Sequence, residues 1–335
     1  MENTMKQEKR ERSVGFWKTR TGKRLIFYII ICALPVLQFC LFTLYVNFNS
    51  ILLAFEKYVI VSKDNFGNAT ALTKQPAGFE NFVDAWNLFV SKPHILVNSL
   101  WLFVANLCIT IPLALIFSFY LYKKCMFSGV FRVILYLPNI ISPLIFGLLF
   151  FQMVNNALPQ YVSKLTAGAV QLPKMLDTAN GVPKEAYGTI LFFNIWVSFG
   201  VNVLMFTGAM SGIDESVVES AHLDGANIFQ EFWFITVPMI FSTVSTFIVL
   251  TMTGVFNNQM NLVTFFGNKS EEILQTWGYY MYVTAAVSDY VQANGWASYV
   301  SYGVLAALGL IFTAIIAPIT FGVRKLFDKF GPSEN

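Results

Sequence analysis

Long apolar segments alternate with short polar segments along most of the chain. Each apolar segment is close to or above the roughly 20 residues that a helix needs to cross a bilayer, and far longer than a barrel strand. Six segments meet this criterion, over residues 25–46, 95–122, 130–154, 188–210, 237–256 and 301–323. The pattern predicts an all-α membrane protein whose six transmembrane helices form one domain over residues 25–323.

The composition supports contact with lipid. The 335 residues are 56% hydrophobic and only 12% charged, whereas a soluble domain has about 25% charged residues. Thirty-four Phe with so few charges cannot be packed inside one water-soluble core of this size. The chain is therefore expected to be an integral, multi-pass membrane protein.

Basic residues are concentrated on one predicted side of the membrane. The tail before residue 25, the turn after the second segment and the end of the chain together hold fourteen of the 22 Lys and Arg residues. Because cytoplasmic loops carry an excess of Lys and Arg, the tails 1–24 and 324–335 are both predicted to be cytoplasmic. No basic face is concentrated enough to predict a nucleic-acid partner.

The connection over residues 211–238 departs from this charge pattern. It contains no Lys or Arg, although it lies on the predicted cytoplasmic side, and its acidic residues are Asp214, Glu215, Glu219, Asp224 and Glu231. Acidic residues contribute little to topology, so the orientation stands. The reversed charge indicates a docking surface for a basic partner.

The same connection has a helical pattern in two parts. Apolar residues recur at near-helical spacing up to Ala221, Gly225 interrupts them as at a helix end, and a second stretch over residues 227–235 places Phe232 on its apolar side. Pro238 then opens the next span, where the first turn tolerates proline. The pattern predicts a helix–turn–helix at the membrane surface. Alternatively, Ser216 and Glu219 form only a capping box and Gly225 a C-cap.

The spacing of these residues resembles the EAA motif of ATP-binding cassette (ABC) importer permeases. The motif begins at Glu219-x-Ala221 and continues through Asp224-Gly225-Ala226, Ile235 and Pro238, with Ser220 and Val237 as departures. The resemblance implies the type I importer permease fold, with the connection as a cytoplasmic coupling loop that inserts into an ATPase. Residues implied in coupling are Glu219, Ala221, Asp224, Gly225, Ala226, Phe232 and Pro238.

Softer similarities point to the carbohydrate-uptake, maltose-type branch. They are Gly78-Phe-Glu-Asn-Phe82, Asn98-Ser-Leu100, and Arg132 followed by Leu137-Pro-Asn-Ile-Ile-Ser-Pro143. The resemblance implies a non-catalytic subunit in a bacterial plasma membrane, working with a second homologous permease, an ABC ATPase dimer and an extracytoplasmic solute-binding protein. The solute would be a carbohydrate, an oligosaccharide in particular. This chain would bind no cofactor, since ATP and Mg would be held by the ATPase.

Polar residues within the spans are candidates for the solute pathway, because such groups often line substrate routes. Amides and hydroxyls suit a neutral polyhydroxyl solute, and a Trp ring could stack on a sugar. The candidates are Asn194, Trp196, Ser198, Asn202, Thr246, Thr253, Asn257 and Asn258. The alternative is that they join neighbouring helices.

No predicted span has a central charged residue, which disfavours an ion-coupled carrier. A phosphate-binding loop of the Gly-rich Lys-Ser/Thr type is missing from the sequence, so a separate subunit would hydrolyse ATP. A stand-alone carrier or channel, and a permease for another class of solute, remain alternatives.

Overall fold

A computed structural model describes residues 20–63, 69–179, 181–286 and 297–332, and most of them are helical. The first half contains α1 (Arg20–Gln38, continued by the π-helical Phe39–Tyr45 and by Val46–Leu53), β1 (Glu56–Lys63), β2 (Ala69–Pro76), α2 (Glu80–Ser91), α3 (Pro93–Tyr122), α4 (Ser128–Ile140) and α5 (Pro143–Leu165). The second half contains α6 (Ala186–Met210), α7 (Glu215–Leu223), α8 (Ile228–Met239), α9 (Phe241–Thr253), α10 (Leu262–Phe266), a 3-10 turn (Glu272–Leu274), α11 (Trp277–Ala286) and α12 (Ala297–Phe330).

The predicted helical fold class is confirmed, and the described residues add one short β-hairpin to it. Strands β1 and β2 pair antiparallel from Glu56 opposite Pro76 to Lys63 opposite Ala69. The run of β-branched and aromatic residues in β1 is typical of a strand, but this hairpin is too short to change the helical character of the protein.

Four described helices are long and apolar enough to cross a membrane. They are Phe27–Leu53, Pro93–Tyr122, Ala186–Met210 and Tyr302–Phe330, and the number rises to six if each of two bent helix pairs counts as one span. Helix α12 continues to Phe330, past the predicted end of the last span at residue 323. Most of the predicted N-terminal tail lies outside the described residues.

The third predicted span, 130–154, is broken rather than continuous. Helices α4 and α5 meet at an angle of 100°, because Ile141 and Ser142 are extended and Pro143 begins α5. A residue before proline is pushed out of the helical region. The second bent pair, α8 and α9, turns by 69° at Ile240, two residues after Pro238.

Three π-helical stretches share a relation to proline. Each ends two residues before a proline, at Thr110 before Pro112, at Ala157 before Pro159, and at Thr236 before Pro238. Proline cannot donate to the carbonyl four residues earlier, and its ring clashes with that group. A widened preceding turn relieves this clash while the helix continues.

The packing of α3, α6 and α9 determines where the functional residues lie. One buried cluster joins these three helices at the end of the bundle that carries the 211–238 connection; its members include Leu115, Phe119, Phe206, Phe232 and Val244. This end is called the loop end below. Apolar side chains of α1 face outward instead and are exposed along most of the helix, as expected for a helix that contacts lipid or another subunit.

Helix α4 packs very closely on α6 at Gly200. A Cβ atom on Gly200 would lie 2.1 Å from the backbone oxygen of Leu135, and one turn away Asn139 donates to the Val197 carbonyl at 3.3 Å. Small residues allow such close approach of helices within membranes.

We expect Gly200→Val to destabilise the protein, because the backbone of α4 would have to move. Overpacking of this kind costs about 1–3 kcal/mol, which thermal unfolding in detergent would detect. Gly208→Val is the matched control, since nothing lies within 4 Å of a Cβ at Gly208 on the same helix. Equal unfolding temperatures for the two variants would contradict the close packing of α4 on α6.

Candidate functional site

Helix α7 begins the polar connection. Its N-cap is Asp214, whose carboxylate accepts a hydrogen bond from the Ser216 backbone N–H at 2.9 Å. That bond lowers the pKa of Asp214 below its usual value. The alternative reading of Ser216 and Glu219 as a capping box is therefore wrong, because Ser216 lies inside the helix.

A tight turn at Gly225 separates α7 from α8. Gly225 has φ of +82°, a left-handed conformation that favours glycine, and the Ala226 N–H donates to the Ala221 carbonyl at 2.9 Å. Helix α8 then starts with a reciprocal capping box, in which Asn227 and Gln230 each accept a 2.8 Å bond from the backbone N–H of the other. The connection is thus two short helices held at a defined angle.

The outer surface of the two helices combines acidic and apolar side chains. Glu219 and Asp224 are exposed, and Ala221 and Ala226 are half-buried. Leu223 and Phe229 are 89% and 78% exposed. Large apolar side chains this open to solvent commonly mark a surface that contacts another protein or lipid.

Glu231 is an exception among the acidic residues. It is fully buried, its Oε1 lies 2.5 Å from Nζ of Lys123, and its Oε2 lies 3.3 Å from Nε2 of His222. The contact with Lys123 is an ion pair. Glu231 therefore cannot face a basic partner together with the other acids, which corrects the prediction from net charge.

Phe232 also points into the protein. It is buried, and its ring centroid lies 5.0 Å from that of Phe119 on α3. The EAA resemblance placed Phe232 among the coupling residues; the structure places it where α8 is attached to α3. Pro238, half-buried, lies just before the bend into α9.

A polar cavity of about 260 Å³ lies between α3, α6 and α9. Its polar side chains are Ser99, Asn106, Ser198, Asn202, Thr251 and Asn258. Ser198 and Asn202 line this cavity and make no side-chain hydrogen bond to any described residue. The sequence predicted Ser198, Asn202 and Asn258 as polar pathway candidates but did not predict Ser99, Asn106 or Thr251.

Asn194 belongs to a different environment. It is buried, donates to the carbonyls of Ile190 and Met260 at 2.8 and 3.0 Å, and accepts a 2.7 Å bond from Asn261. Met260 and Asn261 both have φ of +55°, which is uncommon outside glycine. Asn194 thus holds a strained segment beside the cavity and is not among the residues lining it.

The remaining pathway candidates are divided among other surroundings. Trp196 packs on Phe146 at 5.2 Å and on Phe150 at 6.4 Å, and Thr246 is exposed and donates to the Ser242 carbonyl. Thr253 and Asn257 line a second, mainly apolar cavity of about 320 Å³ against α12. The eight predicted pathway residues therefore do not form one continuous surface.

The chain is similar to known proteins in sequence and in structure. Residues 91–330 match the family described as binding-protein-dependent transport system inner membrane component. A probable ABC transporter permease protein of Bacillus subtilis, YurN, is 26% identical over 276 residues, which cover 81% of this chain and 89% of that protein. The arabinooligosaccharides transport system permease protein AraP of the same organism is 23% identical and covers 93% of both chains.

A solved structure shares the fold. It is a chain of the bacterial alginate ABC transporter in complex with alginate pentasaccharide-bound periplasmic protein, and it matches with a TM-score of 0.68 at 18% identity. The match covers 93% of this chain and 97% of that chain.

We expect Asn194→Leu to lower the free energy of unfolding, because it removes hydrogen bonds from the buried carbonyl of Met260 and from Asn261. Leaving such groups unsatisfied costs about 1–3 kcal/mol each. Ser198→Ala, four residues along the same helix, is the control and should unfold near the wild-type temperature. Equal destabilisation by both substitutions, measured by thermal unfolding in detergent, would show that Asn194 does not hold the 260–261 segment.

Proposed function

Because this chain belongs to the family of binding-protein-dependent transport system inner membrane components, we propose that it is one permease subunit of an ATP-driven importer for a carbohydrate, specifically an oligosaccharide. It forms half of the translocation pathway, and a second homologous permease forms the other half. An extracytoplasmic binding protein delivers the solute, and a separate ATPase dimer docks on the loop end. Both termini are cytoplasmic in the bacterial plasma membrane, consistent with the distribution of basic residues.

The observation that carries the assignment is the uncharged polar cavity between α3, α6 and α9. Amide and hydroxyl groups both donate and accept hydrogen bonds, and none of the described residues that line this cavity is charged. Such a lining suits a neutral polyhydroxyl molecule better than an ion. The sugar named in the description of AraP supports the same class of solute.

The connection at the loop end supplies a docking surface for the ATPase. Exposed Glu219 and Asp224 can meet basic groups, and exposed Leu223 and Phe229 can be buried by the same partner. ATP-driven closure of the ATPase would move the loop and shift the equilibrium between two states of the cavity. The free energy available for this shift is the difference between the two states in the free energy of ATPase binding.

Docking is expected to depend on the left-handed turn. When the wild-type chain is purified from its native host, it should bring an ATPase with it. Gly225→Val should lose that ATPase, because a β-branched residue in this conformation costs about 1–3 kcal/mol. Gly225→Asn should retain more, since Asn tolerates positive φ.

Two outcomes of the purification would contradict this account. A wild-type chain that purifies alone would favour a stand-alone carrier. Normal ATPase recovery with Gly225→Val, at equal membrane abundance, would show that the turn does not set the docking geometry.

The cavity is expected to bind the solute through Asn202. Asn202→Leu removes the amide, and the loss of one such hydrogen bond costs about 0.5–1.5 kcal/mol. Half-saturation of uptake of a radiolabelled oligosaccharide should therefore need roughly two- to twelvefold more solute. Val201→Leu, at the neighbouring exposed position, is the control, and equal uptake curves for both variants would exclude Asn202 from the pathway.

A further inference from the structure

Three helices line the polar cavity, but only two of them are joined directly to the 211–238 connection. Helix α6 enters the connection at Met210, and α9 leaves it after the bend at Ile240. Helix α3 supplies Ser99 and Asn106 to the cavity, yet it ends at Tyr122 and is not adjacent to the connection in sequence. A movement of the connection can reach α3 only through contacts in space.

The structure provides such a contact at the C-terminal end of α3. Lys123 is the C-cap residue of this helix, and its Nζ lies 2.5 Å from Oε1 of the buried Glu231 in α8. The ammonium group also lies 5.7 and 5.8 Å from the ring centroids of Phe119 and Tyr122, which favours the cation there. Phe232, the next residue of α8, packs on Phe119 of the same helix.

Burial makes the ionic contact difficult to break. Glu231 keeps 1% of its side chain exposed, and a buried carboxylate separated from its counter-charge cannot recover the lost hydration. His222 of α7, at 3.3 Å from the other oxygen, brings the first helix of the connection to the same carboxylate. Both helices of the connection and the end of α3 thus converge on Glu231.

We propose that Lys123 and Glu231 are a positioning pair that transmits movement of the 211–238 connection to α3, and through α3 to the solute cavity. The proposal rests on the proposed function. Movement of the connection reaches α6 and α9 directly along the chain. It reaches α3, the third helix that lines the cavity, through the Lys123–Glu231 pair. Because the pair stays closed while the connection moves, α3, α7 and α8 shift as one unit.

A cross-linking experiment tests whether the contact must stay closed. Lys123→Cys and Glu231→Cys are combined in a chain in which Cys32, Cys40, Cys108 and Cys125 are replaced by Ser, and the complex is assembled with its ATPase. Without reagent, uptake is expected to fall at least tenfold while ATP hydrolysis continues. A short bifunctional thiol reagent that joins the two cysteines is expected to restore uptake, whereas each single-cysteine variant gains nothing from it.

Two results of this experiment would overturn the proposal. One is normal uptake by the untreated cysteine pair, and the other is uptake that the cross-link leaves unchanged or lowers further. Recovery of the ATPase is recorded in every case. If the wild-type chain brings no ATPase, the proposed function fails; if it does and the pair proves dispensable, only the positioning role fails.

Conservative and non-conservative variants of Lys123 give a second measurement that needs no reagent. ATP hydrolysed per solute imported is expected to rise at least tenfold in Lys123→Gln and to stay near wild type in Lys123→Arg, which keeps the charge. Lys124→Met is the matched control at the exposed neighbouring position and should leave the ratio unchanged. Equal ratios for Lys123→Gln and Lys123→Arg would contradict an ionic link.

Discussion

Backbone groups inside a hydrocarbon layer have no water to bind, so each must be satisfied within the protein. This constraint shapes the whole bundle, and the prolines show how it is met. Pro112, Pro159 and Pro238 each follow a widened π-helical turn that lets the helix continue. Pro143 instead begins a new helix after two extended residues, and the chain turns by 100°. These four prolines are thus accommodated by a widened turn at three positions and by a break in the helix at the fourth.

The loop end shows how a buried charge gives the connection two different sides. Glu231 is enclosed with Lys123 and His222, and Phe232 packs on Phe119 beside it. These contacts fix the inner side of α8 against α3. Glu219, Asp224 and Leu223 remain exposed on the outer side, where a partner can reach them. A surface that both binds a partner and moves the membrane helices needs such a division, because its inner contacts must persist while its outer contacts form.

Polar residues within the helices also differ in their contacts according to the side of the helix on which they lie. Asn194 and Asn202 are eight residues apart on α6. At 3.6 residues per turn, their directions around the helix axis therefore differ by about 80°. That rotation separates a buried position, where Asn194 bonds Met260 and Asn261, from a position that faces the cavity, where Asn202 is open. The same type of side chain therefore bonds neighbouring residues at one site and lines the cavity at the other.

The sequence by itself determined the membrane class, the mainly helical fold, the left-handed turn at Gly225 and the family, because these follow from local composition, periodicity and spacing. Only the tertiary structure decided which polar residues share a cavity and which acid is buried. The net charge of the connection grouped Glu231 with Glu219, because net charge carries no information about which residues pack against each side chain. Ser99 and Asn106 were not among the predicted pathway residues, because their proximity to Asn202 arises from the packing of α3 on α6. Contacts between residues distant in sequence, such as Lys123 with Glu231, depend on helix packing that no single segment specifies.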